Sequence, residues 1–124
     1  MYVESFRDLE VYKLASRLSY EIFMETKKFP KEETYSLTDQ MRRSSRSVGA
    51  QIAEAWSKRR YKKHFISKLT DADGEQNETQ HWIETAHDCD YISNEQRKTW
   101  LKDYDTVEKK LRSMITKANT FCMK

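Results

Sequence analysis

The chain has 124 residues but only two glycines and one proline, which suits a single domain and is too few turn-formers for an all-β fold. A mean hydropathy of −0.98 excludes a membrane span of roughly 20 apolar residues, and two cysteines, Cys89 and Cys122, exclude a disulfide framework. Charged residues make up 35%, and the net +3 is segregated: +6 over residues 1–68, −8 over 69–96 and +5 over 97–124, a pattern that concerns partners more than folding.

Four helices are expected in chain order. The first begins at Ser5, with Asp8 as a capping-box partner. Val11, Ala15, Leu18 and Ile22 form its buried stripe, widened by Tyr12 and Phe23. Pro30 disfavours helix at Phe29, so this helix ends near Lys28. After a connector from Phe29 to Tyr35, Ser36 with Asp39 opens the second helix, where Leu37, Met41, Val48, Ile52 and Ala55 share a face. Gly49, Ala50 and Ala53 permit close approach by another helix.

Between the second and third helices, Lys58 to His64 contains neither Gly nor Pro, so the break is a cluster of charge. The third helix carries a seam of Phe65, Leu69, Ala72, Gln76, Thr79, Ile83 and Ala86, alternating steps of four and three. Gln76 and Thr79 need hydrogen-bond partners if buried. Ser93 and Gln96 cap the fourth helix, whose seam is Trp100, Tyr104, Val107, Leu111, Met114, Ala118 and Phe121. Four amphipathic helices with short links imply an all-α, antiparallel up-down four-helix bundle occupying residues 1–124.

Catalytic patterns are weak. Two Glu-x-x-His pairs, Glu78/His81 and Glu84/His87, lie on one helix, six residues apart. A bundle di-metal site needs that motif on two helices with two further Glu opposite. Cys89 has acidic neighbours that disfavour its thiolate, and there is no Gly-rich phosphate loop. No metal, cofactor or catalytic residue is expected, so the chain reads as a non-enzyme. The first eight residues carry acid early and lack the apolar core of a signal peptide. A reduced, cytoplasmic protein is therefore expected.

The basic residues form the strongest candidate site. Arg42, Arg43 and Arg46 are followed by Lys58, Arg59, Arg60, Lys62 and Lys63, with Glu54 the sole carboxylate between them and Trp56, Tyr61 and His64 interleaved. Such surfaces hold phosphates and stack bases. The competing reading is a solvated helix end, with Arg42 or Arg43 paired to the acidic third helix through Glu78.

Three segments carry a family resemblance: Phe6-Arg-Asp-Leu-Glu-Val-Tyr-Lys-Leu-Ala15; the second helix from Leu37 through Met41-Arg-Arg-Ser-Ser-Arg to Ile52-Ala-Glu-Ala55; and Gly74-Glu-Gln-Asn-Glu-Thr-Gln-His-Trp-Ile83. Together they resemble the bacterial four-helix-bundle family first noticed as reading frames in intervening sequences of 23S rRNA genes, to which the accessory variability determinants of diversity-generating retroelements are similar. Arg42, Arg43, Ala53, Glu54, Gly74, Glu78, Thr79 and Trp82 fall on the family pattern, whereas Tyr12 and Ala55 stand where Trp and Gly are usual. The resemblance implies a ring-like homopentamer. For the retroelement relatives it also implies a basic surface for nucleic acid and a reverse transcriptase. Two functions are thus expected of the chain. The first is a homo-oligomer associated with RNA or other nucleic acid, with a link to rRNA or the ribosome. The alternative is a structural adaptor for a protein partner, with the basic residues consumed in subunit contacts.

Overall fold

In the computed structural model, which describes residues 3–122, five helices follow one another: α1 (Glu10–Thr26), α2 (Leu37–Ser57), α3 (Lys62–Asp88), α4 (Asn94–Thr116) and the one-turn α5 (Ala118–Phe121). Met1 and Tyr2, which open the stretch read above for a leader, lie outside the described residues, as do Met123 and Lys124 of the basic C-terminal flank. No strand occurs among the described residues. Each long helix packs against its chain neighbour, and α4 returns to α1. Antiparallel order follows from the pairs that meet: Arg17 with Asp103, Arg43 with Glu78, Lys68 with Glu54 and Arg97 with Glu84.

The four periodic stripes converge on one core. Val11, Ala15, Leu18 and Ile22 of α1 are buried, as are Leu37, Met41, Val48, Ile52 and Ala55 of α2. All seven seam residues of α3 are buried, Gln76 and Thr79 included. Thr79 Oγ1 lies 2.9 Å from Ser44 Oγ, and Gln76 donates to Asp73 and Asn77 while accepting from Gln80. Those contacts are what buried polar groups require. Gly49 faces α1 in the same chain: a Cβ there would sit 3.6 Å from the Tyr12 ring. The close approach anticipated at Gly49 is therefore within the bundle, while Ala50 is exposed.

The helix ends depart from expectation in three places. The Ser5/Asp8 capping box forms, but it closes a separate 3-10 turn, Phe6–Asp8. Leu9 is extended (φ −68°, ψ 129°), so α1 starts only at Glu10. Ser36 does not cap α2; its hydroxyl donates instead to Glu33 Oε1 at 2.6 Å, and the Leu37 amide reaches the same oxygen at 3.4 Å. The fourth helix breaks at Lys117, and α5 re-enters the same rhythm, burying Ala118 and setting the Phe121 ring near Trp56 and Phe65. Helix α3 ends in a Schellman arrangement: the Tyr91 amide donates to the Ala86 carbonyl and Asp90 adopts a left-handed φ of 62°. Asp tolerates that conformation better than most side chains.

Two tyrosines show how this packing acts on ionisation. Tyr104 is fully buried and its hydroxyl lacks a partner. Burial first, and then the negative Glu21, push that phenol far above its ordinary range. Tyr91 joins the α3–α4 link to the α1–α2 connector, donating to Glu33 Oε2 at 2.9 Å with its ring 5.2 Å from that of Phe29. The hydrogen bond to Glu33, then desolvation, raise the Tyr91 phenol from 10.0 to about 12. Bonds from Ser36 and Tyr91 hold the Glu33 carboxyl below its ordinary value.

Truncation of Leu111 to Ala should destabilise the bundle by about 2–5 kcal/mol in urea unfolding, by lost burial plus cavity. A loss below about 1 kcal/mol would contradict the α4 packing. Because the folded-state phenol is raised, the Tyr91–Glu33 contribution is complete below 10.0 and is lost as pH climbs through about 12. In ultraviolet titrations differenced against Tyr91→Phe, Tyr91 should ionise near 12 in the native sequence and distinctly lower in Glu33→Gln, where desolvation still acts. Ionisation near 10 with Glu33 intact would show that the contact is absent.

Candidate nucleic-acid interface

The eight basic residues singled out from sequence fall into two groups separated along α2. Arg43 and Lys58 are fifteen residues apart, about 22 Å of helix at 1.5 Å per residue.

Near the start of α2 the arginines have partners. Arg43 bridges to α3, bonding Glu78 and lying 3.5 Å from Glu75, while Glu78 also accepts from the Trp82 indole at 3.2 Å. The pairing anticipated between Glu78 and an arginine is thus made by Arg43. Arg42 turns toward α1, donating from Nε to Thr26 Oγ1 at 2.8 Å with its guanidinium 4.8 Å from the Phe23 ring centre. Arg46 lies 5.2 Å from the same ring.

The second group occupies the corner where α2 ends and α3 begins. Lys58 closes α2, Arg59 and Arg60 turn, and Tyr61, extended at φ −122° and ψ 105°, is the N-cap of α3. Arg59 folds back: its Nε donates to the Trp56 carbonyl at 2.8 Å and its guanidinium lies 3.7 Å from the indole centre. It therefore caps the negative end of α2 and presents a flat cation on an aromatic face. The sequence reading counts Arg59 among the nucleic-acid-binding residues without distinguishing it from its neighbours. The signal for its role was an aromatic three residues before an arginine at a helix end.

Lys58, Arg60, Lys62 and Lys63 are exposed and join no ion pair among the described residues. Lys62 and Lys63 sit in the first turn of α3, which contains no acidic residue, and Tyr61 provides no side-chain cap. A helix N-terminus carries partial positive charge and unpaired amide donors, so cations there are unfavourable and anions favourable. Tyr61 is 58% exposed with its ring 5.4 Å from that of His64, and an open groove beside it is lined by Lys58, His64, Ser67 and Lys68. Lys68 marks the inner boundary, paired with Glu54 at 3.0 Å. The corner thus offers point charges, free amides and a tilted aromatic pair, the elements of a site for phosphates with stacked bases.

A further pair of perturbed ionisations, Glu84 and Arg97, serves structure. A bond from Arg97, its two nitrogens on the two Glu84 oxygens, keeps that carboxyl low and the guanidinium correspondingly high. Glu84 is thereby tied to α4 while His87 remains on α3, and no group of three or more His, Cys, Asp or Glu among the described residues could hold a metal ion. No helix in the structure is long and apolar enough to cross a membrane.

Residues 7–113 match a protein family described as 23S rRNA-intervening sequence protein. Among solved structures, the chain is similar to a protein of unknown function from the S23 ribosomal protein family of Bacteroides thetaiotaomicron VPI-5482. The two are 29% identical with a TM-score of 0.76, over 86% of this chain and 95% of that one. No curated protein is detectably similar.

Proposed function

The chain belongs to the 23S rRNA-intervening sequence protein family, and from that premise we propose a non-enzymatic, cytoplasmic homo-oligomer, a ring of five, that associates with RNA or another nucleic acid through its basic α2–α3 corner. The observation that carries this reading is the placement of Lys62 and Lys63 in the uncapped first turn of α3 beside Lys58 and Arg60. Such a corner repels itself and the helix dipole, and an approaching phosphate backbone relieves both. Lys58, Arg60, Lys62 and Lys63 are the phosphate contacts in this proposal, Arg59 and Tyr61 the planar surfaces. Arg43 serves the α2–α3 ion pair instead. Support for a non-enzyme is that the shifted groups, Arg17, Glu33, Lys68, Glu84, Tyr91, Arg97 and Tyr104, owe their shifts to bonds and burial that hold the bundle together.

An adaptor role toward another protein draws its support from the opposite end of the bundle. There Tyr35 is 94% exposed beside an open groove whose walls include Leu37, Gln40 and Trp82. Exposed aromatic surface of that kind suits a protein partner more than a phosphate backbone.

Fluorescence anisotropy with labelled single-stranded RNA and DNA, read at several salt concentrations, tests the leading proposal. Lys58→Glu/Arg60→Glu/Lys62→Glu should weaken binding to every sequence tried. It should also flatten the slope of log K against log salt by about 2, at roughly 0.7 per lost phosphate contact. Unchanged affinity and slope in that variant would remove the corner as the site.

A further inference from the structure

On the outer side of the α1–α2 pair, three cations surround one aromatic ring. Lys27 Nζ lies 4.7 Å from the centre of Phe23, and the Arg42 and Arg46 guanidinium carbons lie 4.8 and 5.2 Å from it. None of the three joins an ion pair among the described residues, although Asp39 sits only one turn before Arg42. The ring's quadrupole attracts each cation, but cations gathered on one ring repel one another. Apolar surface continues from the cluster: Tyr20 is 63% and Met24 43% exposed on α1. A patch combining cations with exposed apolar side chains suits an acidic protein surface better than a phosphate backbone.

The chain itself carries such a surface. From Leu69 to Gln96 there are eight carboxylates and no Lys or Arg. Asp71, Glu75, Glu78 and Glu84 enter ion pairs within the subunit, whereas Asp73 and Asp88 do not among the described residues. Asp73, Asn77, Glu84 and Asp88 recur at steps of four, seven and four, which places them in one stripe of α3. The Glu84–Arg97 bond puts that stripe on the α4 side, across the bundle from the α1–α2 groove. A cationic face and an acidic face on opposite sides of one subunit make a head-to-tail contact.

We infer that the Lys27–Arg42–Arg46 cluster around Phe23 is the docking surface for the acidic α3 stripe, Asp73 to Asp88, of a second copy of the chain. This rests on the proposed homo-oligomer and names the two faces that build it. It assigns the arginines near the start of α2 to assembly and leaves the α2–α3 corner for nucleic acid.

Light scattering at moderate salt tests the pairing. The native protein should show a mass several times 14.9 kDa. Lys27→Glu/Arg46→Glu should bring the mass down toward 14.9 kDa. Arg42 is spared because it bonds Thr26. Adding Asp73→Lys/Asp88→Lys to the same chain should restore the larger mass, since both faces are then reversed. Gln76 keeps Asn77 as an acceptor in that variant, and Asp88 is the last residue of α3, where a cation suits the dipole. Circular dichroism melting of each variant controls for folding. An unchanged mass in Lys27→Glu/Arg46→Glu would overturn the cationic face while leaving the oligomer standing. Dissociation without rescue by the combined reversal would overturn the α3 stripe as its partner. A native mass of 14.9 kDa would overturn the oligomer and this interface with it. Weakened nucleic-acid binding with unchanged mass would make phosphate the occupant and so overturn the inference.

Discussion

The hydrogen bond between Ser44 and Thr79, both fully buried, is the contact on which the arrangement of charge depends. Ser44 Oγ is fully buried in the α2–α3 seam with Thr79 as its one hydrogen-bond partner among the described residues. Left alone there it would carry a desolvation cost of about 1–3 kcal/mol, whereas Thr79 also donates to the Glu75 carbonyl at 2.9 Å. That requirement sets the register of α2 against α3. One residue back along each, Arg43 then meets Glu78, and toward the far end Glu54 meets Lys68. The register ends α2 and starts α3 where no carboxylate is left to neutralise Lys58, Arg60, Lys62 and Lys63. Internal pairing thus decides which basic residues are used within the subunit and which remain for a partner.

Exposed ion pairs contribute little, typically under about 1 kcal/mol each, so their interest here lies in sorting. Arg43, half exposed against Glu78, and Arg17 against Asp103 adjust the bundle surface while the apolar seams supply its stability. Two clusters of cations that join no ion pair among the described residues differ in character. At the α2–α3 corner they join a helix N-terminus and an accessible tyrosine; around Phe23 they join an aromatic ring and exposed apolar side chains. Those differences in surroundings underlie the assignment of one site to nucleic acid and the other to a second subunit.

Much of this fold could be read from the chain because its seams are long and regular. The α3 seam keeps one rhythm from Phe65 to Ala86 through two polar positions, and chance seldom sustains such a pattern. The ends were harder to read, since they turn on single backbone angles. Ser5 and Asp8 cap a turn as expected, yet extended Leu9 separates that turn from α1. The rhythm of α4 runs on through Lys117 because α5 resumes the same register after a break. Asp90 ends α3 in a left-handed conformation where a glycine would have announced the stop. At the candidate site, the clustering of basic residues was visible in sequence. Which of Arg42 and Arg43 would face α3 was not, because neighbours on a helix diverge by about 100° and the choice rests on the Ser44–Thr79 register.

A double-mutant cycle on Ser44→Ala and Thr79→Val tests that register most directly. Thr79→Val strands the Ser44 hydroxyl, Ser44→Ala leaves Thr79 its bond to the Glu75 carbonyl, and the pair removes both hydroxyls. Urea unfolding should give a coupling of about 0.5–1.5 kcal/mol, with the double variant losing less than the sum of the singles. Additive losses, within about 0.3 kcal/mol, would contradict the claim that this buried bond sets how α2 and α3 meet.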